Sequence, residues 1–272
     1  MTPLILLILA SEITGDRADS IARAFLKAGA VPGPYRIQRL GAIEGGSGTT
    51  FRLSYTTKAG AYDLYVRGAD GKVRFAWRSA PKMSAGAPAP ASSRDLTAVR
   101  AALAALGVPT DSLGPAPGAT SSMEMVSAGM AILVDGRRVF SGPHMAGYSV
   151  TLAGDRRRLL GFERQDELPV VLRSVPRLGG GDALKALRRS CEPRDRRSRL
   201  VHFGPARDPE LVYYTPDGKT PARLCWYVPA DVRVDVGYSV RGGMRTALVD
   251  AATGEGVPVP VQLSDGPLPL RK

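Results

Sequence analysis

The sequence predicts an α+β protein of consecutive small units, each with one helix packed on an antiparallel β-meander. Amphipathic helix patterns begin near residues 16, 93 and 182, so the spacings are 77 and 89 residues, which suit small modules better than a solenoid repeat. Alternating apolar and polar runs follow each helix and are joined by short turns rich in Gly, Asp and Pro. No apolar stretch approaches the roughly 20 residues that span a bilayer.

The first predicted unit covers residues 13–82. Its helix is expected over Asp16–Ala30, where Phe25 and Leu26 lie on one apolar face. Three antiparallel strands should follow, and Tyr65, which is out of phase with their apolar residues, should face outward. The positions assigned to the core beneath the helix are Phe51, Leu53, Tyr55, Tyr62, Leu64, Val66, Val73, Phe75 and Trp77.

The second predicted unit covers residues 92–175 and follows a linker at Pro81–Pro90. Its helix should begin with a capping box, because Ser92 precedes Asp95 by three residues. A glycine C-cap at Gly107 should end this helix. Asp135-Gly136 between two apolar runs is the strongest hairpin signal in the chain.

The third predicted unit covers residues 179–268. Asp182 is the expected N-cap of its helix, with Leu184, Leu187 and Cys191 on one face. Trp226 is in phase with the apolar residues of a strand and is assigned to the core. Tyr227 is out of phase and should face outward. The strands of this unit are expected at 211–215, 223–228, 244–250 and 257–263.

The last third of the chain carries its most specific pattern. The segments LVYY, Asp217-Gly218 and RLCWYV lead to a closing strand that reads VDAATGE over Val249–Glu255. This text resembles the PepSY module, although the long stretch Pro229–Gly243 departs from its pattern. The resemblance implies a cystatin-like helix on an antiparallel sheet, and an association with inhibiting or assisting secreted peptidases. The residues alone indicate a turn at Asp250-x-x-Thr253-Gly254 rather than a catalytic motif.

The distribution of basic residues along the sequence argues against a nucleic-acid-binding site. The formal net charge is +12, and only seven of the 37 basic residues are lysine. Most arginines alternate with apolar residues along strands instead of forming a basic face with interleaved aromatics. The exception is the run Arg188–Arg199, whose members Arg194, Arg196 and Arg197 are candidates for an anionic surface or polymer. A solvated turn is the preferred interpretation of this run.

The predicted cellular compartment depends on the N-terminal residues. Residues 1–12 begin with a short apolar stretch that resembles a trimmed signal peptide, while a first strand or a misassigned start are the alternatives. Export to the periplasm or the medium is favoured, and a cytoplasmic chain is the alternative. In an exported chain Cys191 and Cys225 are candidates for one disulfide, although the strand alternation puts Cys225 on the face opposite Trp226.

No catalytic constellation is present in the sequence. His144 and His202 fall in different predicted units, and neither the cysteines nor the carboxylates have the spacing of a metal or nucleophile site. We therefore expect no enzymatic activity, no cofactor and no metal. The predicted function is non-catalytic binding of a peptidase or an extended peptide, with Tyr65 and Tyr227 as the contact surface. A basic adaptor for an anionic polymer is the alternative.

Overall fold

The computed structural model describes residues 12–45, 48–78, 89–142, 144–193, 197–237 and 239–257. It is an α+β fold, as predicted, and its described part contains three helices. The chain divides into two compact units, one of Met1–Ala131 with Gly147–Asp166 and one of Ile132–Ala146 with Glu167–Lys272. Residues 1–11 of the possible signal peptide and most of the predicted linker lie outside the described residues. The division into three units stays a prediction.

The helices are α1 (Gly15–Ala28), α2 (Ser93–Ala105) and α3 (Gly180–Cys191), and none of them has the length and hydropathy that crossing a membrane requires. The strands in chain order are β1 (Arg36–Gly45), β2 (Gly48–Thr57), β3 (Gly60–Arg67), β4 (Val73–Arg78), β5 (Ala89–Pro90), β6 (Leu113–Pro115), β7 (Thr120–Ser121), β8 (Met125–Val134), β9 (Arg137–Ser141), β10 (His144–Met145), β11 (Gly147–Ala153), β12 (Leu159–Gln165), β13 (Arg199–Pro205), β14 (Glu210–Thr215), β15 (Arg223–Asp235), β16 (Val240–Asp250) and β17 (Gly256–Val257).

One antiparallel sheet runs through the first unit in the order β1-β2-β3-β4-β12-β11-β8. The pairing of β4 with β12, in which Trp77 lies opposite Gly161, joins strands that the sequence assigns to two different predicted units. The hydroxyl of Tyr62 on β3 also donates to the carbonyl of Leu159, at 2.7 Å, in the buried interior. Strands that the sequence assigns to the first two predicted units therefore belong to one sheet.

Helix α1 is fixed to this sheet by a polar contact as well as by its apolar face. Phe25 and Leu26 are buried, and the Tyr55 hydroxyl on β2 donates to Asp19 at 2.5 Å. Arg23, one turn further along the helix, forms an ion pair with the same carboxylate at 2.8 Å. Burial, together with the hydrogen bond to Asp19, raises the pKa of Tyr55 above its ordinary value.

A β-bulge in β4 changes the phase that the sequence predicts for this strand. Tyr65 pairs with Phe75 but the next residue, Val66, pairs with Val73, so Arg74 is the extra residue. Since side chains alternate along a strand, one extra residue moves all later ones to the other face. The assignment of Phe75 and Trp77 to the core beneath the helix is therefore wrong.

Helix α2 begins as predicted. Ser92 is its N-cap, and the Asp95 carboxylate accepts from the Ser92 backbone N–H at 2.9 Å, which completes the capping box. Asp95 is buried and also forms an ion pair with Arg156 at 2.5 Å. The hydrogen bonds from Ser92 and the Arg156 guanidinium hold the pKa of Asp95 far below its usual range.

The second unit is built around a long hairpin of β15 and β16. Strand β14 pairs with residues of β15 up to Tyr227, and β13 pairs with it from Ala230 onward. Pro229 falls at the gap between these two neighbours, where the N–H that proline lacks is not needed. Strand β15 therefore continues to Asp235, beyond the end predicted at residue 228.

Part of the second predicted unit belongs to the second compact unit. Asp135 and Gly136 have positive φ angles, of 49° and 73°, and form the predicted hairpin turn between β8 and β9. Strand β9 then pairs in parallel with β14, with Val139 opposite Tyr213. This pairing differs from the purely antiparallel meander of the prediction, and it explains why residues 132–146 cluster with the end of the chain.

Helix α3 packs on β15 and β16, with Ala183 and Leu187 buried against Val228 and Val249. Its N-cap is Gly179 rather than the predicted Asp182, which lies in the first helical turn. The closing turn forms as predicted, because the carboxylate of Asp250 accepts from the backbone of two following residues and Gly254 has a φ of 79°.

Both cysteines are thiols in the structure. Cys191 is half-buried against the cluster beneath α3, whereas Cys225 is buried in a different cluster with Val212, Tyr214 and Leu248. Burial raises the pKa of Cys225 to about 12. The disulfide between the two cysteines stays a prediction tied to export.

The Asp95→Ala variant should lower the free energy of unfolding by about 1–2 kcal/mol at neutral pH, because it removes the capping box. The pKa of Asp95 is lower in the folded state, so this stabilisation is present above the ordinary carboxyl pKa of about 4 and declines as the pH falls below it. Urea unfolding between pH 7 and pH 3 measures the difference. Asp111→Ala, at an exposed carboxylate, is the control, and an equal loss in both variants would contradict the interpretation.

Cys225 should react with an alkylating reagent only when the second unit opens. Its thiol is buried and its pKa of about 12 leaves almost no thiolate at pH 8. Mass spectrometry of timed alkylation should show Cys191 modified first and Cys225 modified only in denaturant. Equal rates for the two thiols in native buffer would show that the Cys225 cluster is open.

Candidate functional site

The face of the first unit's sheet opposite α1 carries polar and aromatic side chains across its four central strands. We call this the open face. Along each row, directly paired residues lie about 4.5–5.5 Å apart, so their side chains are neighbours. The residues of the open face are Arg52 and Ser54 on β2, Asp63 and Tyr65 on β3, Phe75 and Trp77 on β4, and Gly161 and Glu163 on β12.

Trp77 is the most exposed aromatic side chain of this face, with 41% of its surface accessible. Its indole ring lies on the backbone of Gly161, since a Cβ atom added there would come within 2.2 Å of a ring carbon. A glycine at this position lets the ring lie flat against β12. The other side of the ring is therefore presented to solvent as a flat aromatic surface.

Tyr65 and Phe75 form the aromatic row beside Trp77. Their rings meet edge to face, with centroids 5.7 Å apart. The guanidinium of Arg52 lies over the Tyr65 ring at 5.8 Å, which is a cation–π contact. The sequence predicts Tyr65 as an outward contact residue, and the structure places it half-buried on the open face.

Two carboxylates of the open face lie on the strands that border β4. Asp63 lies directly opposite Trp77 on β3 and accepts a hydrogen bond from the Ser54 hydroxyl. Glu163 lies two residues from Gly161 on β12 and accepts from the Gln165 side-chain amide at 2.7 Å. Within the described residues neither carboxylate takes part in an ion pair. This is unusual for a chain whose formal net charge is +12.

The edge of the same sheet offers a second surface. Strand β1 is ten residues long and pairs with β2 on one side, while no other described strand pairs with it. Ile37 lies opposite Tyr55 and Leu40 opposite Leu53, so they extend a buried apolar row to the edge, where they are 41% and 45% exposed. Ile43, at 49%, is exposed as well. Long apolar edges of this kind are templates for a further strand.

Tyr227, the second predicted contact residue, lies in the second unit and is half-buried. Its ring stacks on Phe140 with centroids 5.3 Å apart, and Arg207 lies over it at 5.1 Å. Arg138 lies 5.9 Å from both rings and forms an ion pair with Glu210. The structure therefore places Tyr227 in a packed aromatic and arginine cluster, and its role as a contact residue stays a prediction.

The other predicted site residues do not come together. Arg194 and Arg196 lie outside the described residues, and Arg197 is exposed between α3 and β13. His202 has one carboxylate neighbour, Asp231, at 3.7 Å, and His144 is exposed on β10. Among the described residues no three His, Cys, Asp or Glu side chains converge as a metal ion requires.

Sequence reasoning missed Phe75 and Trp77 as surface residues. The strand Val73–Arg78 reads as a regular alternation, and no residue within it is a glycine or proline that marks a bulge. The only sequence signal on the far side of the pairing is Gly161, an isolated glycine in an apolar strand, which indicates close approach by another group.

Gly161→Ala should displace the Trp77 ring and lower the free energy of unfolding by about 1–3 kcal/mol, because the added methyl group would overlap the indole. Thermal unfolding and the tryptophan emission maximum measure the two effects. Gly41→Ala on β1 is the matched control, since nothing lies within 4 Å of a Cβ atom there. An unchanged melting temperature and emission maximum in Gly161→Ala would show that the ring does not lie on β12.

Comparison with known proteins supports the fold and goes no further. No protein-family model matches the sequence, and no curated protein matches it either. The structure is similar to a solved structure described as the Bacillus megaterium YpeB C-terminal domain, with a TM-score of 0.54 and 13% sequence identity, over 90% of this chain and 96% of that one. At this identity the likeness is one of fold alone, and at that level it supports the PepSY-like prediction.

Proposed function

We propose that this protein is a non-catalytic binding protein that adds an extended segment of a partner protein to the edge of β1. The observation that carries the proposal is this edge, a strand of ten residues that pairs with β2 on one side and has three exposed apolar side chains. Strand addition uses main-chain N–H and C=O groups for affinity and alternate side chains for specificity. It needs no catalytic group.

The edge also carries charge that selects its partner. Arg36 and Arg39 are exposed along β1, and the only carboxylate of the strand, Glu44, is hydrogen-bonded to Thr49 on β2. A segment with apolar residues two positions apart and acidic residues near Arg36 and Arg39 fits this edge best. The PepSY resemblance and the fold likeness support a secreted peptidase as the partner class, and export of this chain is part of the same proposal.

The edge is only partly protected against pairing. A bulge at Gln38 interrupts the register near its beginning, but the stretch from Arg39 to Gly45 pairs regularly with β2. Natural sheets block unwanted partners with bulges, prolines and charged residues on their edges. Since β1 has none of these devices between Leu40 and Ile43, this stretch is the expected docking register.

The test is peptide selection on the full chain, with a displayed library of ten-residue peptides as the probe. A selected peptide should lose at least tenfold in affinity for Leu40→Asn/Ile43→Asn, because both exposed side chains contribute apolar contact at the edge. Met123→Asn, at a residue that is 97% exposed elsewhere in the same unit, should bind normally. Equal folding of the variants is checked by thermal unfolding.

Backbone methylation separates strand addition from other binding modes. N-methyl groups placed singly along the selected peptide should abolish binding at every second residue, because alternate N–H groups face β1. An absence of this period of two, or a library that yields no β1-dependent peptide, would contradict the proposal. Binding that is steeply salt-dependent and unaffected by the β1 substitutions would instead favour the basic adaptor of the Arg188–Arg199 run.

A further inference from the structure

We propose that the open face binds a basic side chain, a lysine or arginine of a partner protein, between Trp77, Asp63 and Glu163. The site lies on the face of the sheet, three strands from the edge of β1. It is therefore a second contact, and it does not depend on strand addition at that edge.

The aromatic part of the site is the exposed side of Trp77. The electron-rich face of an aromatic ring attracts cations, and tryptophan does so most strongly. Because the indole lies flat on Gly161, one side is occupied by β12 and the other is open to a ligand. Among the described residues, the cation–π contact of the open face joins Arg52 to Tyr65 and does not involve the Trp77 ring.

Charge complementarity selects a cation as the ligand. Asp63 lies opposite Trp77 on β3, and Glu163 lies opposite Phe75 on β12, two residues along that strand from Gly161, so each strand that borders β4 carries one carboxylate. Each accepts one hydrogen bond from a neutral side chain, and within the described part of the chain neither is neutralised by an ion pair. An ammonium or guanidinium group over the ring would lie beside the Asp63 carboxylate and within the diagonal reach of the Glu163 side chain.

The structure favours a protein side chain over a free small cation. The site lies on a sheet face where the Trp77 side chain is 41% exposed, so a small ion would remain largely hydrated there. A lysine or arginine gains in addition from packing its methylene stem on the indole and on the adjacent Phe75 row. The bound group is therefore expected to be presented by a polypeptide.

The experiment uses the full chain labelled with ¹⁵N and follows the indole N–H signals of its two tryptophans. Trp226, whose Nε1 donates to the Leu178 carbonyl at 2.9 Å, serves as an internal reference. The probe is the peptide acetyl-(Gly-Lys)₃-amide, with acetyl-(Gly-Gln)₃-amide as its neutral counterpart. The lysine peptide should shift the Trp77 signal saturably and leave the Trp226 signal in place.

The variant Asp63→Asn/Glu163→Gln should weaken this response at least tenfold. Asp111→Asn/Glu255→Gln removes the same charge from two exposed positions that are not part of the open face and should respond as the unaltered chain does. Equal shifts with the lysine and glutamine peptides, or equal responses of the two variants, would overturn the inference. A shift with spermidine but not with the lysine peptide would overturn the choice of a polypeptide as ligand.

Discussion

The β-bulge in β4 decides which aromatic side chains of the first unit lie in its core and which lie on the open face. The extra residue is Arg74, and the pairing on either side of it is regular. Without the bulge, Phe75 and Trp77 would point beneath α1, where Leu64 and Phe162 already fill the space. Both the packing of the helix and the character of the open face depend on this local change of register, because one extra residue moves every later side chain of the strand to the other face.

The features that the sequence predicts correctly are those set by neighbouring residues. The capping box at Ser92 and Asp95, the hairpin at Asp135-Gly136 and the turn at Asp250 each depend on hydrogen bonds or φ angles within four residues. Local hydrogen bonds and turns of this kind can be predicted from the sequence without knowledge of the fold. The buried face of β3, with Tyr62 and Leu64, follows in the same way from alternation alone.

What the sequence does not contain is the choice of partner between distant strands. The β4–β12 pairing unites two predicted units, and the parallel β9–β14 pairing moves a hairpin into the second unit. Neither is signalled by a turn or by periodicity, since many strands of similar composition compete for each edge. The open face could not be predicted from the sequence for the same reason, because Gly161 and Trp77 become neighbours only when β4 pairs with β12.

The basic composition serves packing as well as solubility. Arg138 and Arg164 are largely buried, and each guanidinium lies within 6 Å of two aromatic rings. Arg23 and Arg156 hold the carboxylates that fix α1 and α2. A planar guanidinium can stack and donate hydrogen bonds together, which lysine cannot do. A net charge of +12 is thus compatible with a surface that has acidic positions, such as those beside Trp77.

The parallel pairing of β9 with β14 means that β9 is synthesised well before its partner strand. Val139 leaves the ribosome 74 residues before Tyr213, its opposite number on β14. At translation speeds of about 5–20 residues per second, roughly 4–15 seconds pass before β14 is available to pair with β9. The chain returns to the first unit at Gly147 during that interval. All residues of the first unit are therefore synthesised before β14, the parallel partner of β9 in the second unit, has been made.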